Sequence, residues 1–199
     1  MTQSRLLRAA DYPRMPWKNG AGSTLEIARD AGDGLDGFGW RLSIADVGES
    51  GGFSAFTGYQ RVITVLEGAG MRLEVDGQWS RTLTALDAFA FDGGSAVRCE
   101  LIDGPIRDFN LIYSPTRYAA RLQWLQVAGE AEFFSSASTL LLFAAEGGVS
   151  LAQEGQVSAV LGRHDCLHLE SAGALAGVKL SGTGTVCLIE LIPKPAPTA

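Results

Sequence analysis

The sequence predicts an all-β chain of two antiparallel β-barrels with few short helices, and three features carry that reading. Short runs of Val, Ile, Leu and Phe recur at intervals of roughly ten residues with glycine turns between them, the pattern of sandwiches and barrels. Several runs alternate apolar with polar residues, the period of a strand with one buried face. The second half of the 199-residue chain also echoes the first.

Along the chain, "MPWKNGAGSTLEI" (15–27) is a polar loop running into a strand. Gly20 and Gly22 let the backbone turn tightly, Lys18 and Asn19 supply donors, and the strand presents Glu26. "FGWRLSIADV" (38–47) alternates Trp40, Leu42 and Ile44 with Arg41, Ser43 and Ala45. "RVITVLEGAGMRLEVDGQWSRTL" (61–83) reads as three strands, with Gly68 and Gly70 in the first turn and the hairpin pair Asp76-Gly77 in the second. In "RDFNLI" (107–112), Asp108 and Asn110 share a face.

Pro115 in "YSPTRY" interrupts the ladder, so the expected domains are residues 1–115 and 116–199, joined without a linker. The second domain opens with "YAARLQWLQV" and continues through "TLLLFAAEGGVSLAQEGQVSAVL", which runs strand, turn, strand, turn, strand. A shift of 78 positions lays Leu73, Gly77, Gln78, Leu83 and Asp87 over Leu151, Gly155, Gln156, Leu161 and Asp165. The tail "IPKPAPTA" is proline-rich and expected to drape loosely.

Composition excludes several classes. Hydrophobic residues make up 46% of the chain, enough for a real core and against disorder. With 16 basic and 22 acidic residues the charge is -6, which disfavours nucleic acid or an anionic membrane as partner. Cys99, Cys166 and Cys187 form no CxxC spacing, so a reducing cytoplasm is expected rather than a disulfide framework or zinc knuckle. The N-terminal apolar stretch is too short for a signal sequence, and no segment approaches the ~18 apolar residues of a membrane helix.

Four motifs, "MPWKNGAGSTLEIAR", "FGWRLSIADV", "GGFSAFTGYQRVITVLEG" and "GPIRDFNLIY", resemble the HutD/Ves family of bacterial proteins. The resemblance lies in the first 115 residues. It implies a bicupin fold, two cupin-type barrels in one chain, and a link to bacterial histidine utilisation as an accessory or regulatory component rather than a catalyst. Catalytic cupins hold a metal with closely spaced histidines and a glutamate. This chain has only His164 and His168, which a strand through "GRHDCLHLE" would put on one face, with no evident third ligand. No metal and no other cofactor is expected.

The candidate ligand-binding residues are Lys18, Asn19, Glu26, Arg41, Arg61, Asp108 and Asn110. They come from separate segments and converge only if the sheet closes into a barrel, whose mouth holds one small ligand. Arginine's planar fork binds carboxylate, lysine adds a point charge and asparagine reads an amide or formyl group. Structural alternatives stand beside this: Arg41 with Glu26 as a cross-strand pair, Arg61 with Asp108 as an internal ion pair, Lys18 as a surface residue, and Trp17 and Phe53 as core or lid.

The expected function is binding of a small anionic metabolite of histidine breakdown: urocanate, formylglutamate or formiminoglutamate. Occupancy would adjust the pathway indirectly, since no DNA-binding helix pair is visible. Binding is favoured over turnover; the alternative is a metal-independent enzyme using Glu26 and Asp108 as acid and base. Open sheet edges leave a homodimer possible.

Overall fold

The computed structural model describes residues 3–17, 20–33, 37–153 and 156–195. The alternating runs become β1 (Gln3–Leu7), β2 (Arg14–Pro16), β3 (Gly22–Arg29), β4 (Trp40–Val47), β5 (Gly51–Gly52), β6 (Gln60–Glu67), β7 (Met71–Val75), β8 (Gln78–Trp79) and β9 (Ala88–Asp92). They continue as β10 (Val97–Leu101), β11 (Ile106–Tyr113), β12 (Tyr118–Ser135), β13 (Thr139–Ala144), β14 (Val149–Gln153), β15 (Gln156–Leu161), β16 (Cys166–Glu170) and β17 (Ala176–Pro193). Among the described residues the helical content is one 3-10 turn, Ala9–Asp11, and no helix is long and apolar enough to cross a membrane.

One compact unit spans Pro13–Thr116. It contains a six-stranded sheet in the order β2-β3-β4-β11-β6-β9 and a four-stranded sheet in the order β5-β10-β7-β8. Ile63 and Val65 from the first sheet and Met71, Leu73 and Cys99 from the second share one core, making the unit a nearly closed barrel. The third strand expected within 61–83 is shorter than predicted. β8 covers two residues, and Leu83 makes an isolated bridge to Met71.

The other unit comprises residues 1–12 and 117–199. Residues 3–12 therefore group with the C-terminal segment, where the sequence boundary had placed them with the first domain. The cause is pairing of β1 with β16, reinforced where Asp165 accepts from the Ala9 backbone N–H (2.9 Å) and the Arg8 guanidinium (2.6 Å). Tyr12 adds its hydroxyl, which donates to the His164 carbonyl at 2.8 Å. The sheet runs β1-β16-β13-β17-β14-β15, with β12 paired along β17. Its hydrophobic core includes Leu140, Leu142, Leu151, Leu180, Val186 and Leu188. On the edge away from β12, β17 pairs with β14 early and β13 late, and the β14 pairing ends at Gly182, whose φ of 117° suits glycine. A Cβ there would meet the Gly148 carbonyl oxygen at 2.1 Å.

The strand pairings of the two units correspond. β7 and β14 lie 78 residues apart at both ends, as do β9 and β16, and β12 begins 78 residues after β4. β6 pairs with β9 and β11 as β13 pairs with β16 and the later half of β17; β7 pairs with β8 and β10 as β14 pairs with β15 and the earlier half. This spacing is the one at which the five sequence identities fall.

Gly22 begins β3 in a space with no room for a side chain. A Cβ would lie 2.3 Å from the Asp46 carbonyl oxygen and 3.0 Å from the Trp17 ring. Gly22→Ala is expected to destabilise the protein by roughly 1–3 kcal/mol, as overpacking does. A lowered urea midpoint at unchanged slope would show it. An unaltered midpoint would mean that the β3–β4 contact opens freely enough to admit a methyl group.

Candidate functional site

Cross-strand register builds the site. In the β4–β11–β6 ladder, Ile112 lies between Arg41 and Arg61, Asn110 between Ser43 and Ile63, and Asp108 between Ala45 and Val65. Directly opposed residues point to the same side, so these side chains form a grid on one face. Glu26 of β3 joins it opposite Ser43. Five of the seven candidate residues, Glu26, Arg41, Arg61, Asp108 and Asn110, thus share the face that meets the four-stranded sheet. Lys18 and Asn19 lie outside the described residues.

Arg61 is 6% exposed and surrounded by rings. Its guanidinium carbon lies 5.1 Å from the Phe91 centroid and 5.5 Å from those of Phe53 and Phe56, within cation–π range. Nη2 donates to Asn110 Oδ1 at 2.8 Å and Nη1 to the Ser54 carbonyl at 3.3 Å. Nε is buried and has no hydrogen-bond partner among the described residues. Burial lowers its pKa to about 10, against support from Asp108, and Arg41 lowers it further.

The sequence left Arg61 and Asp108 as a possible ion pair, but the link between them runs through an amide. Asn110 accepts from Arg61 and donates through Nδ2 to Asp108 Oδ1. Asp108 is 1% exposed, and burial pushes its pKa up to about 7 despite the Arg61 charge and the Asn110 hydrogen bond. Glu26 has the opposite setting. Burial raises it, but hydrogen bonds from Arg29 (2.7 Å) and Arg41 (2.8 Å) outweigh that and hold its carboxyl below the ordinary value. The Arg41–Glu26 pair is therefore a real salt bridge, shared with an arginine the sequence reading missed.

Arg29 escaped because a regular strand turns residues three apart to opposite faces. A bulge between Glu26 and Ala28 resets the parity, bringing Arg29 opposite Arg41 on the face of Glu26. Phe56 and Phe91 were missed too. Phe91 sits directly opposite Arg61 on β9, a pairing that requires register, while Phe56 comes from the segment before β6. Phe53, read as core or lid, is one of the three rings.

An open groove of about 520 Å³ lies at the other end of the same strands. Gly20 and Gly22 line it with Asp46, Gly48, Glu67 and Arg107. Asp46 there accepts from Arg14 (2.9 Å) and Arg107 (2.6 Å). The glycine loop therefore borders a groove at the Asp46 end of β4, whereas Arg41 and Arg61 belong to the opposite end of the ladder.

The expected strand through His164 and His168 does not form. His164 occupies a turn with φ 64°, stacked on Phe143 at 5.6 Å, and β16 begins only at Cys166. The turn is organised by Asp165, which also accepts from Gly162 N–H at 2.9 Å. His168 lies on the strand 3.5 Å from Glu170, its pKa lowered by burial. Among the described residues no group of three potential metal ligands comes together. All three cysteines are buried and free.

The HutD family model matches residues 9–188. The chain belongs to the HutD family. An uncharacterized 21.2 kDa protein in the hutC 3′ region of Pseudomonas putida is 61% identical, covering 98% of this chain and 100% of that protein. Protein Ves of Escherichia fergusonii is 42% identical over 51% of this chain and 55% of its own length. Among solved structures, a conserved protein of unknown function from Pseudomonas aeruginosa PAO1 superposes with a TM-score of 0.94 at 62% identity, covering 96% of this chain and 99% of that one. HutD from Pseudomonas fluorescens SBW25 does so with a TM-score of 0.86 at 57% identity, covering 97% and 100%. The fold is cupin-like: YhhW, a bacterial pirin from Escherichia coli, superposes at a TM-score of 0.70 and 10% identity over 97% of this chain and 100% of that one.

Within this HutD chain the polar cluster makes pH a direct probe. Asp108 holds its proton to about pH 7 when folded, whereas an unfolded aspartate loses it near pH 4. Between those values the folded state binds more protons, so this group's contribution to stability falls as pH rises, by up to about 1.4 kcal/mol per pH unit. Asp108→Asn is expected to remove that slope and to be more stable than wild type at pH 8. Urea unfolding across pH 4–8 measures it, and parallel curves for the two proteins would show that Asp108 is already ionised.

Proposed function

We propose that this HutD protein is a cytoplasmic bicupin that binds a small carboxylate metabolite in its first barrel, as a non-catalytic accessory of histidine utilisation. The observation that carries the reading is the Nε–H of Arg61, a charged donor buried without a partner among the described residues. A carboxylate oxygen is the acceptor that such a donor suits best. The surrounding charges favour an anion too: Arg29, Arg41 and Arg61 face Glu26 and a half-titrated Asp108 at neutral pH. Asn110 supplies an amide beside them, suited to a formyl or formimino group.

The second unit supports the same conclusion by contrast. Strand pairing sets Arg61, Asp108 and Asn110 in correspondence with Leu140, Val186 and Leu188, all members of an apolar core. A unit of this topology has no structural need of the polar set. The link to histidine utilisation rests on family membership and on the hutC-region relative in Pseudomonas putida.

Urocanate, formylglutamate and formiminoglutamate are the ligands to test, with histidine and glutamate as comparisons. One of the first three is expected to raise the melting temperature, by the equivalent of ~2.7 kcal/mol at a hundredfold excess over Kd. Arg61→Leu, which copies the leucine at the corresponding position 140, is expected to stay folded and to lose the shift. No shift with any of these compounds would overturn the proposal.

One observation favours a second reading, acid–base turnover: Glu26 and Asp108 have proton affinities pushed apart, as an acid and a base require. Under that reading the bound compound is consumed, which proton NMR of the incubated ligand detects directly.

A further inference from the structure

We propose that Asp108 meets the bound carboxylate as a neutral acid, so that filling the Arg61 site takes one proton from solvent. The inference rests on the carboxylate-binding reading and concerns its regulation. Its starting point is geometric. Arg61 donates to a carbonyl and an amide oxygen, and the Asn110 amide stands between it and Asp108. The guanidinium is therefore not neutralised by direct contact with a carboxylate among the described residues.

A ligand carboxylate that accepts from Nε would place a second anionic group on the face that already carries Asp108. A second buried anion disfavours the ionised form of Asp108, already the weaker acid through burial, so binding the ligand carboxylate shifts Asp108 toward its neutral form. The other groups around Asp108 do not change that count. Cys99, facing it from β10, stays a neutral thiol because burial, Asp108 and Glu100 push its pKa up to about 12. Asp46 on β4 repels the Asp108 charge, while Arg41 on the same strand is engaged by Glu26. The flanking Ala45 and Val65 are apolar. Binding thus adds a proton to an Asp108 oxygen and breaks no covalent bond.

In the ligand-free protein Asp108 titrates near pH 7, so uptake should be small at pH 5.5 and approach one proton at pH 8.5. Affinity should accordingly fall by up to about tenfold per pH unit above neutrality. Titration calorimetry of the full chain with formylglutamate and with urocanate, repeated in phosphate and Tris, counts the protons from the buffer dependence of the heat. Wild type at pH 8.5 is expected to take up close to one, and Asp108→Asn none, with pH-independent affinity. Binding heat in wild type that is the same in both buffers would overturn the inference while leaving the carboxylate site intact. Undiminished uptake in Asp108→Asn would do so too. If neither compound binds at any pH, the site reading itself fails and this inference with it.

Discussion

The guanidinium of Arg61 is the constraint around which the first unit is arranged. An arginine at 6% exposure has lost its water, and a buried cation is tolerated only where the protein replaces that solvation. Three phenylalanine rings, one carbonyl and one amide oxygen do so in part. They come from three separate segments: Phe91 from β9, Asn110 from β11, and Phe53, Ser54 and Phe56 from the stretch leading into β6. The ladder must therefore be correctly registered, and that stretch correctly laid down, before the charge is accommodated. Gly93 permits this closure, because a Cβ there would meet the Phe56 and Tyr59 carbonyl oxygens at 2.7 and 2.9 Å.

The electrostatics of the same face follow from how the carboxylates are held. Glu26 has two arginines in direct hydrogen bonding and stays ionised; Asp108 has a neutral amide instead and is driven toward its acid form. The two carboxyls differ little in kind and much in partners. The effect is an inner face with a fixed anion at one side and a titrating group at the other. On β6, beyond Asp108, lies a cation whose Nε donor has no partner among the described residues.

What was legible in the sequence was whatever depends on local period and turn chemistry. Alternation in "FGWRLSIADV" set Arg41 and Ser43 on one face, and Asp76-Gly77 marked the β7–β8 turn. What was not legible depends on register. The bulge at Ile27 that turns Arg29 toward Glu26 leaves no mark in a period-two pattern, and the Phe91–Arg61 pairing joins residues thirty positions apart. His164 was misplaced for a related reason: in "GRHDCLHLE" only the last five residues form a strand, and the Asp165 carboxylate holds the first four in a turn by binding Gly162 N–H and residues from the N-terminal segment. That long-range contact also carries residues 3–12 into the C-terminal unit.

The correspondence between the units bears on why the polar cluster exists. Buried ionic groups are poor sources of stability, and replacing them with well-packed apolar residues is often neutral or favourable. The second unit carries that replacement: Leu140, Val186 and Leu188 occupy the corresponding ladder positions and belong to its hydrophobic core. The same strand order is thus compatible with either lining. Stability alone gives no reason for the first unit to bury an arginine with an unpartnered donor beside a carboxyl raised to about 7. The proposed carboxylate ligand would give one, because an acceptor for Arg61 Nε would turn that hydrogen-bonding deficit into affinity.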